Sequence, residues 1–161
     1  MFAKLNDGGE LYYEIYGDKG PWIVLTNGIM MSTVSWKSFI EPLSKNNRLL
    51  LFDFRDQGRS SKIDKEDYGC DFHVPDFIQL IDHLGIDKIN IVGVSYGGQV
   101  SLELMINHQH RVKTLMLVTA ASFVNNHLRA LGDSWDVAAK LNDGKDFFKV
   151  VIPTIYSASF Y

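Results

Sequence analysis

The chain has 161 residues, of which 46% are hydrophobic, and is long enough to form a compact domain with a hydrophobic core. Its formal net charge of −3 provides neither the basic surface expected for nucleic-acid binding nor a polybasic membrane-binding segment. The single cysteine, Cys70, excludes an internal disulfide framework and has no clustered ligands for a metal site.

No apolar run approaches the roughly 20 residues that span a bilayer. Residues 1–4 do not begin a signal peptide, since the apolar segment of one is missing. We therefore expect a cytoplasmic protein that binds neither membrane nor nucleic acid.

Short apolar segments bounded by turn-forming residues predict six strands. Residues 2–5 and 11–16 flank an Asn-Asp-Gly-Gly turn, which predicts an N-terminal antiparallel hairpin. Four further segments are almost continuously apolar, as strands covered on both faces are: residues 22–26, 49–52, 88–93 and 112–118.

Apolar side chains at helical spacing lie between these strands. A first helix is predicted to be capped by Ser35 and to be kinked or shortened by Pro42. A second has Pro75 in its first turn and stops at Gly85, and a third covers residues 96–107. This alternation predicts an α/β fold, a doubly wound and mostly parallel sheet with the hairpin added to it.

The pattern changes beyond about residue 121. One helical stripe contains Trp135, a second contains Phe147 and Phe148, and Asn-Asp-Gly at 142–144 separates them. We therefore expect a core domain of residues 1–120 and a separate helical segment of residues 121–161.

A Gly-x-Ser-x-Gly motif centred on Ser95 lies between a predicted strand and a predicted helix. In that setting it is typical of a nucleophile elbow, in which glycines permit a tight turn and the serine hydroxyl projects above the sheet. The motif alone is common by chance. Residues 27–29, Asp53 and Ser95 all follow strands, however, so they converge on one rim of a parallel sheet.

These residues resemble the α/β-hydrolase fold family over essentially the whole chain. Residues 93–98 resemble the elbow, residues 27–30 stand where many members carry His-Gly, and residues 53–61 resemble the family's Asp-x-Arg-Gly-x-Gly-x-Ser loop. The segments 84–88 and 110–112 are also typical. The resemblance implies that residues from about 121 begin a helical cap over the substrate pocket.

Two positions depart from the family pattern. Asn27 replaces the usual histidine and should be tolerated, because the loop contributes a backbone N–H rather than this side chain. Asp56 replaces a usual glycine, and we expect its carboxylate to pair with Arg55 or Arg59 rather than with substrate.

The resemblance implies that Ser95 is the catalytic nucleophile and that the amides of Ile29 and Tyr96 form the oxyanion hole. Gly28 and Met30 would contact substrate, although Met30 also suits core packing. Neither a metal nor a cofactor is implied.

Acyl hydrolysis also requires a histidine base and a carboxylate, which the family places after the cap. The sequence ends at Tyr161 within a segment that resembles a cap helix. We therefore expect an incomplete α/β-hydrolase fold, truncated before its triad acid and histidine.

None of the five histidines is expected to replace the missing base. His73 and His83 lie around the helix before the elbow strand, and His108 and His110 follow the elbow helix, so we expect surface or loop positions for all four. His127 lies in the cap segment and has no evident carboxylate partner.

The leading hypothesis is a serine hydrolase, such as an esterase, acting on an ester, thioester or lactone of a small apolar acid. The elbow serine argues against haloalkane dehalogenases, which carry aspartate there, whereas cofactor-free haloperoxidase and carbon–carbon hydrolase activities use the same triad. Alternatively, the chain is a catalytically inactive fragment or interaction module. Residues 112–118 would then form an exposed edge strand through which it dimerises or domain-swaps.

Overall fold

A computed structural model describes residues 1–63, 68–141 and 143–160. The chain divides into two compact units, Met1–Ser122 and Phe123–Tyr161. Asn142, in the predicted helix break, and Tyr161, at the predicted cap end, lie outside the described residues. Among the helices of the described ranges, none combines the length and apolarity needed to cross a membrane.

The described part of the first unit is built on a six-stranded sheet with the spatial order β1-β2-β4-β3-β5-β6. The hairpin strands β1 and β2 are antiparallel, and β2 is antiparallel to β4. The remaining neighbours are parallel, which confirms the predicted mostly parallel sheet with an N-terminal hairpin. The strands are β1 (Phe2–Lys4), β2 (Glu10–Tyr16), β3 (Trp22–Thr26), β4 (Arg48–Phe52), β5 (Ile89–Val94) and β6 (Val112–Val118).

Helices cover both faces of the sheet: α1 (Lys37–Ser44), α2 (His73–His83) and α3 (Tyr96–Asn107). On β4, Leu49 and Leu51 pack in the same cluster as Trp36 and the α1 side chains. The alternate residue Leu50 packs in the cluster formed with α2 and α3. Since successive strand residues face opposite sides, this division explains why the strand is apolar throughout.

The start of the first helical segment differs from its prediction. A 3₁₀ turn, Thr33–Trp36, precedes α1, and its N-cap is Ser32. The Ser35 hydroxyl accepts the Ser32 amide at 3.3 Å, so Ser35 lies inside the turn and does not cap α1. Pro42 lies within α1, which is only eight residues long.

The second unit contains α4 (Asn126–Ala139) and α5 (Gly144–Ile155), which pack against each other. Each begins at a polar cap: the Asn125 side chain accepts the amide of Leu128, and the Asp143 side chain accepts that of Lys145, both at 2.9 Å. Side-chain acceptors satisfy the free amides of a first helical turn, which explains where both helices start.

Candidate active site

Ser95 lies on the turn between β5 and α3, in a backbone conformation that L-residues rarely adopt. Its φ is 51° and its ψ is −118°. Its amide donates to the carbonyl of Val118 on β6 at 2.9 Å, which ties the turn to the sheet. A residue in such a conformation stores about 1–3 kcal/mol of strain and is typical of a functional turn.

Glycines on both sides of Ser95 are required by close backbone contacts. A Cβ on Gly93 would lie 2.7 Å from the Cα of Gly98, and one on Gly97 would lie 2.6 Å from the carbonyl oxygen of Asn27. Neither position has room for a side chain. The motif therefore brings the first turn of α3 against the loop that follows β3.

Asn27, which departs from the family pattern, is a buried structural residue in this loop. Its Oδ1 accepts the indole N–H of Trp36 at 2.7 Å, and its Nδ2 donates to the carbonyl of Phe52 at 3.0 Å. Both ends of the amide are used. The side chain therefore attaches the loop to the 3₁₀ turn before α1 and to β4.

Asp53 connects this loop to the loop that follows β4. One carboxylate oxygen accepts the amide of Thr33 at 2.7 Å and the Asn27 side-chain amide at 3.3 Å. The other accepts the amide of Arg59 at 3.0 Å. One buried carboxylate therefore holds both loops at the rim of the sheet.

The peptide between Gly28 and Ile29 lies beside the serine. A Cβ on Gly28 would be 3.3 Å from the Cβ of Ser95. The Gly28 carbonyl accepts Nε2 of Gln57 at 3.0 Å and the amide of Met31 at 3.2 Å. Within the described ranges, the Ile29 and Tyr96 amides donate no hydrogen bond to the protein, so both are available to a ligand oxygen.

A cavity of about 450 Å³ adjoins these two amides. It is lined by Ile29, Met30, residues 55–57, Tyr68, His73 and Tyr96. Of the residues predicted to contact substrate or to react, Met30 lines this cavity, whereas Gly28 and Ser95 are not among the lining residues. The volume suits a small organic molecule.

The predicted pairing of Asp56 with an arginine is wrong. Asp56 has φ 66°, a left-handed conformation that glycine adopts most readily and that aspartate tolerates. Its two carboxylate oxygens accept the amide of Ile63 at 2.9 Å and the hydroxyl of Tyr68 at 2.7 Å. The side chain thus bonds to the segment that follows its own turn.

The two neighbouring arginines have other partners. Arg55 donates to Asp76 from Nε at 2.7 Å and from Nη2 at 3.0 Å, and Nη2 also pairs with Asp7 at 2.7 Å. Arg59 donates from Nη1 to the Tyr12 hydroxyl at 2.7 Å.

The prediction of a surface or loop position for His73 is also wrong. Only 1% of His73 is exposed, and its ring packs near those of Phe54, Tyr68, Phe72 and Tyr96. Its Nδ1 is buried without a hydrogen-bond partner in the described ranges, and burial lowers its pKa to about 4. His73 is therefore a neutral residue of an aromatic cluster. It is buried because aromatic residues from distant parts of the chain converge on the start of α2.

The other histidines are more accessible. His83, His110 and His127 are exposed, and His108 is half-buried. Among the hydrogen bonds of the described residues, none joins a histidine to the Ser95 hydroxyl.

Cys70 is half-buried at the start of a 3₁₀ turn, Cys70–Phe72. Its Sγ is 3.7 Å from Oε1 of Gln99, and burial raises its pKa. Across the parts of the chain that the structure describes, no group of three or more potential metal ligands is present.

Sequence reasoning missed the contact from Gln57 to Gly28. The two residues are 29 positions apart, and no local pattern indicates that this side chain reaches back to the first loop. Asp53 was identified by its position at a strand end. Which amides donate hydrogen bonds to its carboxylate, however, depends on how both loops fold.

Comparison with known proteins agrees with this architecture. A family model described as the alpha/beta hydrolase fold matches residues 21–157. RutD of Caulobacter sp. (strain K31), named as a proposed carbamate hydrolase, is 30% identical over an alignment of 138 residues, and the match covers 83% of this chain and 50% of RutD. The chain thus spans about half the length of this curated relative.

Two solved structures resemble the chain closely. MGS-M2, an alpha/beta hydrolase enzyme from a Medee basin deep-sea metagenome library, is 38% identical with a TM-score of 0.94, and the match covers 100% of this chain and 59% of MGS-M2. The enol-lactonase from Burkholderia xenovorans LB400 is 28% identical with a TM-score of 0.87, over 99% of this chain and 61% of the lactonase. The chain therefore carries part of that fold.

Proposed function

The chain belongs to the α/β-hydrolase fold family, and from this premise we propose that it carries the nucleophile and the oxyanion hole of a serine hydrolase. The observation that carries the proposal is the placement of Ser95. It is strained on a strand–helix turn, and the amides of Ile29 and Tyr96, which have no hydrogen-bond acceptor among the described residues, lie in adjoining segments.

In the proposed reaction, the Ser95 Oγ attacks the acyl carbon of an ester, thioester or lactone. The carbonyl oxygen becomes an oxyanion that accepts hydrogen bonds from the backbone amides of Ile29 and Tyr96. An oxyanion-hole donor is worth roughly 3 kcal/mol of barrier, and the N-terminus of α3 adds a favourable dipole at the same point. Collapse of the intermediate expels the alcohol or thiol, and water then releases the acid from the acyl-serine.

The serine proton requires a base, and we place that base and its orienting carboxylate in the part of the relatives' length that this chain does not span. His73 does not fit the role, since its Nδ1 lies buried in the aromatic cluster and, among the described residues, no carboxylate is hydrogen-bonded to the ring. The 161-residue chain alone is therefore expected to be nearly inert.

The relatives' names support the substrate class. A lactonase and a proposed carbamate hydrolase both cleave a bond at a carbonyl group. The cavity of about 450 Å³ suits a small acyl group. We also propose a cytoplasmic location, which the low cysteine count supports.

Labelling with a fluorophosphonate tests this function. A version that includes the downstream coding sequence should gain one adduct on Ser95, located by peptide mass spectrometry, and S95A should gain none. No adduct on the extended protein would refute the serine hydrolase assignment. Rapid labelling of the 161-residue chain would instead refute the claim that its base is absent.

A second role is proposed for the 161-residue chain itself, because β6 forms an edge of the described sheet and exposes apolar side chains. Association of two copies through this strand, or exchange of it between them, would satisfy its outer backbone groups.

A further inference from the structure

The cavity beside the candidate oxyanion amides contains one arginine and one aspartate among its described lining residues. The positive charge of the arginine is compensated by nearby carboxylates. Arg55 is almost fully buried and pairs with Asp76 and Asp7, each at 2.7 Å. Two carboxylates therefore already balance its single positive charge, and the ion-pair cluster adds no net positive charge to the cavity.

The remaining titratable lining groups are uncharged at neutral pH. Burial lowers the pKa of His73 to about 4 and raises the pKa of Tyr68 to about 12. Burial also raises the pKa of Tyr96.

The carboxylate of Asp56 has no cation within ion-pair distance in the described ranges. Its two oxygens accept a neutral amide and a neutral hydroxyl, from Ile63 and Tyr68. The ammonium of Lys62 is exposed and bonds at 2.9 Å to the backbone carbonyl of Asp56 rather than to its carboxylate. These two hydrogen bonds hold the carboxylate in place at the cavity wall, and neither of the two donors carries a positive charge.

We propose that Asp56 makes this cavity selective for uncharged acyl groups and that it disfavours substrates whose acyl chain ends in a carboxylate. The inference rests on the proposed serine hydrolase function, because it concerns the acyl group presented to Ser95. Like charges in a partly desolvated site repel each other by an amount that changes a rate constant about tenfold.

Two esters with the same leaving group and chain length test the proposal on the full-length protein. 4-Nitrophenyl butyrate ends in a methyl group, and 4-nitrophenyl hemisuccinate ends in a carboxylate. The measured quantity is the ratio of kcat/KM for butyrate to that for hemisuccinate. In D56N this ratio should fall about tenfold, because asparagine removes the charge. Asparagine also tolerates the left-handed backbone and keeps an oxygen that can accept a hydrogen bond from the Ile63 amide.

D18N is the matched control, because Asp18 is exposed in the turn between β2 and β3, and its ratio should equal that of the wild type. Salt gives a second readout that needs no substitution at the site. Raising NaCl from about 0.05 to 0.5 M shortens the screening length, so the wild-type ratio should fall and the D56N ratio should change much less.

The outcomes separate the two proposals. Hydrolysis of neither ester, with no labelling of Ser95, would refute the serine hydrolase function. Hydrolysis of both esters with a ratio unaffected by D56N and by salt would overturn only the role of Asp56. Faster wild-type turnover of hemisuccinate than of butyrate would show that Arg55 attracts anions despite its two partners, and it would also overturn this inference.

Discussion

Gln57 holds the carbonyl oxygen of Gly28 with its side-chain amide, at 3.0 Å from Nε2. Peptide bonds are planar, and the structure contains no cis peptide among its described residues. The N–H of Ile29 must therefore point away from the oxygen that Gln57 holds. Gln57 is thus a positioning residue for the proposed oxyanion donor.

Replacement of Gln57 by leucine should lower kcat of the full-length protein by about 10- to 100-fold with little change in KM. The reason is that a misoriented oxyanion donor weakens transition-state binding more than substrate binding. The unfolding midpoint should fall little, because Oε1 of Gln57 is buried without a partner in the described ranges, and leucine removes that unsatisfied group.

Steady-state kinetics and urea unfolding on the same preparations check this result. Q79L is the control, since Gln79 is a half-buried residue of α2 whose side chain accepts the amide of Asn6 at 2.8 Å, away from the candidate site. A kcat of Q57L within twofold of the wild type would show that Gly28 and Met31 orient the peptide without Gln57.

Two substitutions of Ser95 separate its backbone strain from its chemistry. Both S95A and S95G should abolish labelling by a fluorophosphonate. S95G should nevertheless be more stable than S95A by about 1 kcal/mol. Glycine relieves about 1–3 kcal/mol of backbone strain at φ 51° in the folded state. It also adds conformational entropy to the unfolded state, but this costs only about 0.4–1 kcal/mol. Urea unfolding measures the difference, and equal stabilities would show that the turn is unstrained.

The sequence predicted the elements around Ser95 well, because local patterns determine them. β6 and α3 have the predicted bounds, Val112–Val118 and Tyr96–Asn107. Both are delimited by residues that interrupt a continuous apolar or helical pattern. The parallel orientation of β3, β4, β5 and β6 also followed from the alternation of strands and helices alone.

The contacts of the site were less predictable, because they join residues that are distant in the chain. The burial of His73 depends on Phe54 and Tyr96, which are distant from it in the chain and contact it in the folded structure. Asp56 was expected to form an ion pair from its sequence neighbours alone. Its left-handed backbone instead places its carboxylate against Ile63 and Tyr68.

Burial of His73 should make folding stability depend on pH. Burial lowers the pKa of this histidine from its ordinary value of 6.5 to about 4 in the folded protein. Between these values the unfolded chain binds more protons than the native one, so stability is fully present above pH 6.5 and is lost as the pH falls toward 4. The loss between about pH 7.5 and 4.5 is about 2–3 kcal/mol.

Urea unfolding of the wild type and of H73F at both pH values checks this prediction. The difference between the two unfolding free energies isolates the effect of His73 from that of carboxylates that titrate in the same pH range. Phenylalanine suits the aromatic cluster and cannot be protonated. H83F, at an exposed position, should retain the wild-type pH dependence. An H73F protein with the same slope as the wild type would show that His73 is not the group responsible.

The outer edge of β6 should cause the 161-residue chain to self-associate. In the described sheet β6 pairs only with β5, and Met116 is 61% exposed. An apolar strand with unpaired backbone groups favours pairing with a second copy, and a lysine on such a strand opposes it. Light scattering at tens of micromolar should therefore detect dimers of the chain and a shift toward monomer for M116K.

I106K provides the control for this substitution. Ile106 lies on α3 and is 72% exposed, so the change removes a similar apolar side chain and adds the same charge away from the edge. The I106K chain should dimerise as the unmodified chain does. Equal loss of dimer in both variants would mean that lysine opposes association at either exposed position and not through the edge strand, and a monodisperse monomer of the unmodified chain would eliminate the edge-pairing role.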